Sequence, residues 1–148
     1  MNSLGFYSLN GKSIYHDTKT AKKKDIARFL RVIRRENPLG TIVLVWDNAR
    51  AHLSKLVRRT AHHLDIVLVF LPPYSPDLNP IEFIWKSIKK ELSSKCLMTK
   101  EAVRDVVKEM FYKFSSSLSF AKAWIQNFLE PLHVSLRYTE NLSVKDYN

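Results

Sequence analysis

Two short runs constrain this chain more than anything else in it. Residues 41–46 read TIVLVW and residues 65–70 read DIVLVF, and the last five residues of each form an unbroken series of β-branched and large apolar side chains. Continuous rather than alternating apolarity is the signature of a strand covered on both faces, as in a parallel sheet. The rest of the chain must therefore supply helices to cover those faces.

The surrounding segments are patterned to do so. Leu4 to Leu9 and Ser13 to His16 flank an Asn10-Gly11 pair, the strongest short-range hairpin signal, because a type I′ turn needs positive φ at both central residues. From Thr20 to Glu36 the period is helical: Ile26, Phe29, Leu30 and Ile33 fall on one face, and Lys22, Lys23, Lys24, Arg28, Arg31, Arg34 and Arg35 fill most other positions. Asn37, Pro38 and Gly40 stop that helix. A second helix is expected from Leu53 to His63, a third from Pro80 to about Ser93 after the proline loop Pro72 to Pro76, and a fourth from Lys100 to Phe114. The tail is weakly patterned beyond a helix around Phe120 to Leu129. Hairpin, helix, strand, helix, strand, helix is an α/β order, and the two buried strands argue for a mixed sheet with helices on both sides.

Composition narrows the class of partner. A length of 148 residues suits one domain, 45% apolar residues exclude wholesale disorder, and three glycines exclude a Gly-rich repeat. The net charge is +10, and residues 1–99 hold 17 basic and 8 acidic side chains against 7 and 6 in residues 100–148. A polyanion is the first partner to consider. A lone Cys96 offers neither an internal disulfide nor a thiolate cluster, no apolar run approaches the roughly 20 residues of a membrane span, and no secretory signal is visible. A soluble cytoplasmic protein with no membrane partner is expected.

Ligands in open α/β sheets gather beyond the carboxyl ends of the parallel strands. Asp47 follows the first buried strand directly, and Glu82 lies in the first turn of the helix after the second, so both carboxylates are expected at one spot. Mg²⁺ and Mn²⁺ take carboxylate oxygens, and a carboxylate-held metal pair roughly 3.5–4 Å apart on a basic surface is the apparatus of in-line phosphodiester cleavage and transfer. Other readings stand beside this one. Asp47 and Asn48 can form an Asx turn, Asn79, Pro80 and Glu82 fit N-cap, N1 and N3 of a capping box, and His52 can be a surface residue near a helix start. His62 and His63 read as an exposed helix end, and Trp46, Phe83 and Trp85 as core. The basic helix is either DNA-facing or merely solvated.

Taken together, VLVWDNARAH (residues 43–52) and FLPPYSPDLNPIEFIWKSIKKEL (residues 70–92) resemble the catalytic domain of the DDE transposases of the mariner-like and insertion-sequence superfamily. The 34 residues between Asp47 and Glu82 match the family's separation of its second and third acidic ligands. The resemblance is sharp over residues 41–92 and weaker over residues 3–40. It implies an RNase H-like fold, with Asp47 and Glu82 as catalytic metal ligands for a two-metal Mg²⁺ (or Mn²⁺) site. Asn48 and His52 would orient the aspartate or the scissile phosphate, while Tyr74, Ser75, Pro76, Asn79 and Pro80 would shape the loop that aims Glu82, with Asn79 capping its helix. The implied activity is DNA strand cleavage and transfer in transposition, and so DNA integration and recombination, of a prokaryotic insertion sequence. DNA is the implied partner, as terminal inverted repeats and target, and a nucleoid location would follow from binding it. The candidate DNA-contacting cations are Lys22, Lys23, Arg28, Arg31, Arg35, Arg50, Lys86 and Lys89.

One departure from the family pattern shapes the expectation. The family's first aspartate precedes a hairpin like LGFYSLNGKSIY, which here begins almost at Met1, and Asp17, Asp25 and Glu36 do not match that ligand. The reading is a partial catalytic domain over residues 1–95 lacking the first strand, with a helical C-terminal extension over residues 96–148. Another transposase chain or an upstream-encoded polypeptide would complete it. The alternative is an inactive remnant that only binds DNA or transposase.

Overall fold

The computed structural model describes residues 2–96 and 99–130. Strands β1 (Asn2–Phe6) and β2 (Ile14–Thr18) pair antiparallel, helix α1 (Lys23–Glu36) follows, and β3 (Ile42–Trp46), α2 (Lys55–His63) and β4 (Ile66–Phe70) complete a β-α-β unit whose strands pair parallel. A 3-10 turn (Pro76–Leu78) leads into α3 (Pro80–Ser93), and α4 (Lys100–Ser115) comes next. A last helical turn, α5 (Lys122–Trp124), runs into a π-helical turn (Ile125–Leu129), where apolar spacing predicted helix. Residues 131–148 of the expected C-terminal extension lie outside the described residues. No helix among the described residues is long and apolar enough to cross a membrane.

Alternation along the hairpin explains why it sits between two cores. Ile14 points into a cluster with Ile26, Phe29, Leu30 and Ile33 of α1, Val57 and Ala61 of α2, and Trp46 and Ile66 of the parallel pair. Its neighbour Tyr15 points the other way, into Ile84 and Ile88 of α3 and Val107 and Phe111 of α4. Each fully buried aliphatic side chain in these clusters, such as Leu30 or Ile84, is worth about 1.5–3 kcal/mol. Gly5 is what lets α3 and α4 come this close. A Cβ there would meet Trp85 Cζ2 at 2.5 Å and Phe111 Cε2 at 2.8 Å.

Three expectations are corrected. The antiparallel and parallel pairs form two separate two-stranded sheets rather than one hydrogen-bonded sheet, because no strand among the described residues bridges them. The parallel strands are covered on one face only: Ile42, Leu44, Ile66 and Leu68 pack toward α1 and α2, while Val43 is 61% and Val67 49% exposed on the other. The hairpin has no two-residue type I′ turn either, since Phe6 pairs with Ile14 and the loop spans residues 7–13. Side chains satisfy that loop instead. Ser13 Oγ accepts from Ser8 N (3.1 Å), Ser8 Oγ from Gly11 N (2.8 Å), and Asn37 Oδ1 from Lys12 N (2.7 Å).

Arg34, part of the basic series on α1, has a structural task. Its guanidinium donates to the carbonyls of Leu64 (2.7 Å), Asn37 (3.1 Å), Gly40 (2.8 Å) and Asp65 (2.8 Å), joining the end of α1, the end of α2 and the entry to β3. Gly40 takes φ +68° in this turn, a conformation suited to glycine. Hydrogen bonds to a charged group are worth roughly 1.5–3 kcal/mol. Arg34→Ala is expected to lower unfolding free energy by about 2–3 kcal/mol in urea denaturation, whereas Arg35→Ala, on the exposed face, should change it by under about 0.5 kcal/mol.

Candidate active site

The parallel register sets the site. Trp46 stands opposite Phe70, and Leu71 N donates to Trp46 O at 2.8 Å, adding one rung beyond the last strand residues. The Asn48 side-chain amide donates to the Leu71 carbonyl, so the two loops leave the sheet edge tied together. Asp47 and Asn48 from the first loop then face Leu71–Pro76 from the second, with Asn79 and Glu82 from the start of α3. Together they line a cavity of about 470 Å³. Both predicted carboxylates are on its wall.

Asp47 is held from two directions. Its Oδ1 accepts from Ala49 N at 3.0 Å, the Asx turn considered from the sequence, and lies 2.7 Å from His52 Nδ1. His52 Nδ1 also lies 3.3 Å from the Asp47 carbonyl. The His52 ring is stacked on Trp46, centroids 4.2 Å apart and planes 2° from parallel, so the indole fixes the imidazole edge that meets the carboxylate. Histidine is mostly covered here, and the Asp47 side chain remains 67% exposed, so it is both oriented and accessible. The surface-residue alternative for His52 gives way to this contact. His62 and His63 are exposed at the end of α2, as expected.

The proline loop is rigid by composition. Ser75 Oγ donates to Pro73 O (3.2 Å), Leu78 N to Ser75 O (3.2 Å) and Asn79 N to Pro76 O (2.9 Å). Pro80 occupies the first turn of α3, and Asn79 is the N-cap residue, but its side chain makes no capping bond. The expectation that Asn79 caps through its side chain is thus corrected: the residue lines the cavity, and its carbonyl accepts from Glu82 N at 3.0 Å. Tyr74, expected only to shape the loop, is entirely exposed and adopts φ +57°. Trp46 is buried and Trp85 packs in the second cluster, but Phe83 is 40% exposed and so is not core.

None of Lys22, Lys23, Arg28, Arg31, Arg35, Arg50, Lys86 and Lys89 lines the cavity, and all are exposed. Arg28 lies 3.7 Å from Asp25 and Arg35 3.3 Å from Glu36, so parts of the α1 face are locally neutralised. Sequence reasoning missed, first, the Trp46–His52 stack and, second, the Asn48 amide on the Leu71 carbonyl. An aromatic six residues before a histidine was the available signal for the first, though spacing across a loop does not specify contact.

Crowding by protein atoms, and then the negative charge of Asp47, raises the Glu82 carboxyl above its ordinary value, with Lys89 opposing. A folded pKa above the unfolded one favours the protonated acid, so this contribution to stability is full below about pH 4.5 and is lost as pH rises through the folded value. Two carboxylates on one cavity wall, the charge of Asp47 disfavouring that of Glu82, match the donor chemistry of a hard divalent cation. Among the described residues no group of three or more His, Cys, Asp and Glu converges. Asp47→Asn is expected to bring the Glu82 pKa back toward that of an ordinary glutamate, measured by NMR titration of its side-chain carboxyl; an unchanged value would refute the coupling.

Known proteins share this arrangement of elements. A family profile described as DDE superfamily endonuclease matches residues 1–104. Among solved structures, the chain is similar to the Mos1 transposase paired-end complex with left transposon end, with TM-score 0.61 and 21% identity over 76% of this chain and 38% of that one. It is similar to the Mos1 transposase catalytic domain with raltegravir and Mn, with TM-score 0.62 and 21% identity over 74% of this chain and 61% of that one. It is also similar to the catalytic domain of Mos1 mariner transposase, with TM-score 0.59 and 18% identity over 83% and 76% of the two chains. The chain thus spans less than two thirds of the first two structures' chains. Among curated proteins, none matches. At these identities the structural likeness establishes the RNase H-like α/β fold, and the profile match over more than half its length makes the chain a member of the DDE superfamily endonuclease family.

Proposed function

We propose that this chain is the catalytic portion of a DNA transposase, in which Asp47 and Glu82 hold divalent metal for cleavage and transfer of DNA strands of an insertion sequence. The observation that carries this is the meeting of the two carboxylates on one cavity wall at the carboxyl ends of the parallel strands. Mg²⁺ or Mn²⁺ bound there would offset charge accumulating on a phosphate under attack by water or a 3′-hydroxyl. The chain's own groups arrange the site. His52, braced on Trp46, keeps the Asp47 carboxylate turned toward the cavity, Asn48 ties the Asp47 loop to Leu71, and the Pro72–Pro76 loop delivers Glu82. The exposed cations of α1, with Arg50, Lys86 and Lys89, would carry the DNA backbone outside the cavity. The paired-end complex of Mos1 transposase, named for its transposon end, supports DNA as the partner.

A second reading, in which the chain binds DNA or another transposase chain without cutting, draws on the absence of a third convergent ligand among the described residues. Cleavage of a duplex carrying the element's terminal repeats, in Mg²⁺ or Mn²⁺, separates the two. Activity that vanishes in Asp47→Ala selects the first reading, and binding without cleavage selects the second.

Mn²⁺ binding followed by electron paramagnetic resonance is expected to weaken at least about tenfold in Asp47→Ala and in Glu82→Ala, with both variants folded; undiminished binding in Glu82→Ala would remove it as a ligand. The affinity of a random-sequence duplex should fall steeply with salt, and Arg28→Ala with Arg31→Ala should flatten the log–log slope by about one for each arginine that had neutralised a phosphate. A slope unchanged by both substitutions would return α1 to a merely solvated face.

A further inference from the structure

We propose that Tyr74 contacts the substrate directly, its ring stacking on a nucleobase beside the phosphate that Asp47 and Glu82 address; this rests on the DNA reading of the cavity. Tyr74 is 102% exposed, whereas Tyr15 is 7% exposed and Tyr112 40%. Among the described residues it enters no aromatic pair and its hydroxyl makes no hydrogen bond, although Tyr7 and Tyr15 engage theirs. Packing therefore gives no account of the ring.

Backbone geometry gives none either. At φ +57° the residue sits in the left-handed region, where a bulky side chain is strained and glycine or asparagine is at ease. A turn needing only that conformation is better served by glycine. What the position does provide is presentation. Pro72 and Pro73 precede the ring, Ser75 Oγ closes back on Pro73 O at 3.2 Å, and Pro76 opens the 3-10 turn behind it. A tyrosine projected from so stiff a loop loses little freedom when it is covered.

The surroundings favour a nucleobase over an apolar protein surface. Tyr74 shares its cavity with Asp47, Asn48, Asn79 and Glu82, so whatever covers the ring must also bring groups suited to carboxylates and amides. A nucleotide strand does both, offering a flat π-face to the ring and, on the same unit, a phosphate that meets the two carboxylates through the divalent cation of the proposed site. Stacking of this kind tolerates any base, so the residue would bind without reading sequence.

The test uses the chain with oligonucleotides, single-stranded and nicked-duplex, carrying 5-iodouracil, which cross-links on irradiation to a stacked aromatic side chain. The expected result is a cross-link at Tyr74, near-unchanged affinity in Tyr74→Phe, and affinity weakened about fivefold or more in Tyr74→Gly. Tyr74→Gly also relieves the left-handed strain, so its unfolding temperature should hold or rise, which separates impaired binding from impaired folding. Wild-type affinity in Tyr74→Gly, or cross-links confined to other residues, overturns the proposal while leaving the DNA reading intact. If Tyr74→Gly instead changes the sedimenting mass and not DNA affinity, the ring docks a second chain, and the proposal fails in favour of a protein interface. If the wild-type chain binds none of these oligonucleotides at low salt, the DNA reading of the cavity falls and this assignment with it.

Discussion

Parallel pairing of β3 with β4 is the interaction on which the rest depends. Five residues of each strand align in register, Ile42 with Ile66 through Trp46 with Phe70, and the ladder continues through Leu71 N and Trp46 O. Because parallel strands end on the same edge, the chain leaves both at one place, and Asp47 and the proline loop emerge side by side. The Asn48 amide on the Leu71 carbonyl carries that alignment past the last strand residue, where backbone pairing stops. A one-residue slip would turn Ile42, Leu44, Ile66 and Leu68 away from α1 and α2, so the hydrophobic layer also guards the position of the carboxylate.

Glu82 depends on a different set of contacts. Its helix is held by Ile84, Trp85 and Ile88 in the second core, against Tyr15 and Phe111, and this core reaches the hairpin because Gly5 leaves room for two aromatic rings. The two carboxylates therefore come from separately packed halves of the molecule that share one hairpin. Around them, the polar groups divide by role. Arg34 commits its guanidinium to four carbonyls of the scaffold, and His52 is engaged by Asp47 and Trp46. Tyr74 alone among the aromatic residues of the site faces solvent completely.

Much of the architecture was legible because the signals were local. Periodicity placed α1 within three residues of its observed start, and the apolar runs located β3 and β4 to within one residue. Pro80 marked the start of α3, since a proline at the first helical position loses no hydrogen bond. The failures have physical causes. Asn-Gly could not predict the hairpin loop because Ser8, Ser13 and Asn37, the last of them distant in sequence, satisfy its backbone through side chains. Unbroken apolarity could not distinguish strands covered twice from strands covered once, since the Val43 and Val67 face reads the same either way.

The sequence by itself determined the order of elements, the basic character of the α1 segment, and the motif blocks with their 34-residue Asp47–Glu82 spacing that mark the family. These are properties of neighbours along the chain, and hydrophobic period, proline geometry and charge suffice to read them. Only the tertiary structure decided that Arg34 belongs to the scaffold rather than to the cationic surface, that His52 is braced by Trp46 against Asp47, and that Tyr74 stands exposed with a left-handed backbone on the cavity wall. Each of those roles is set by which groups meet across loops. A side chain's partner is chosen by the packing of elements far apart in sequence, and no local pattern encodes it.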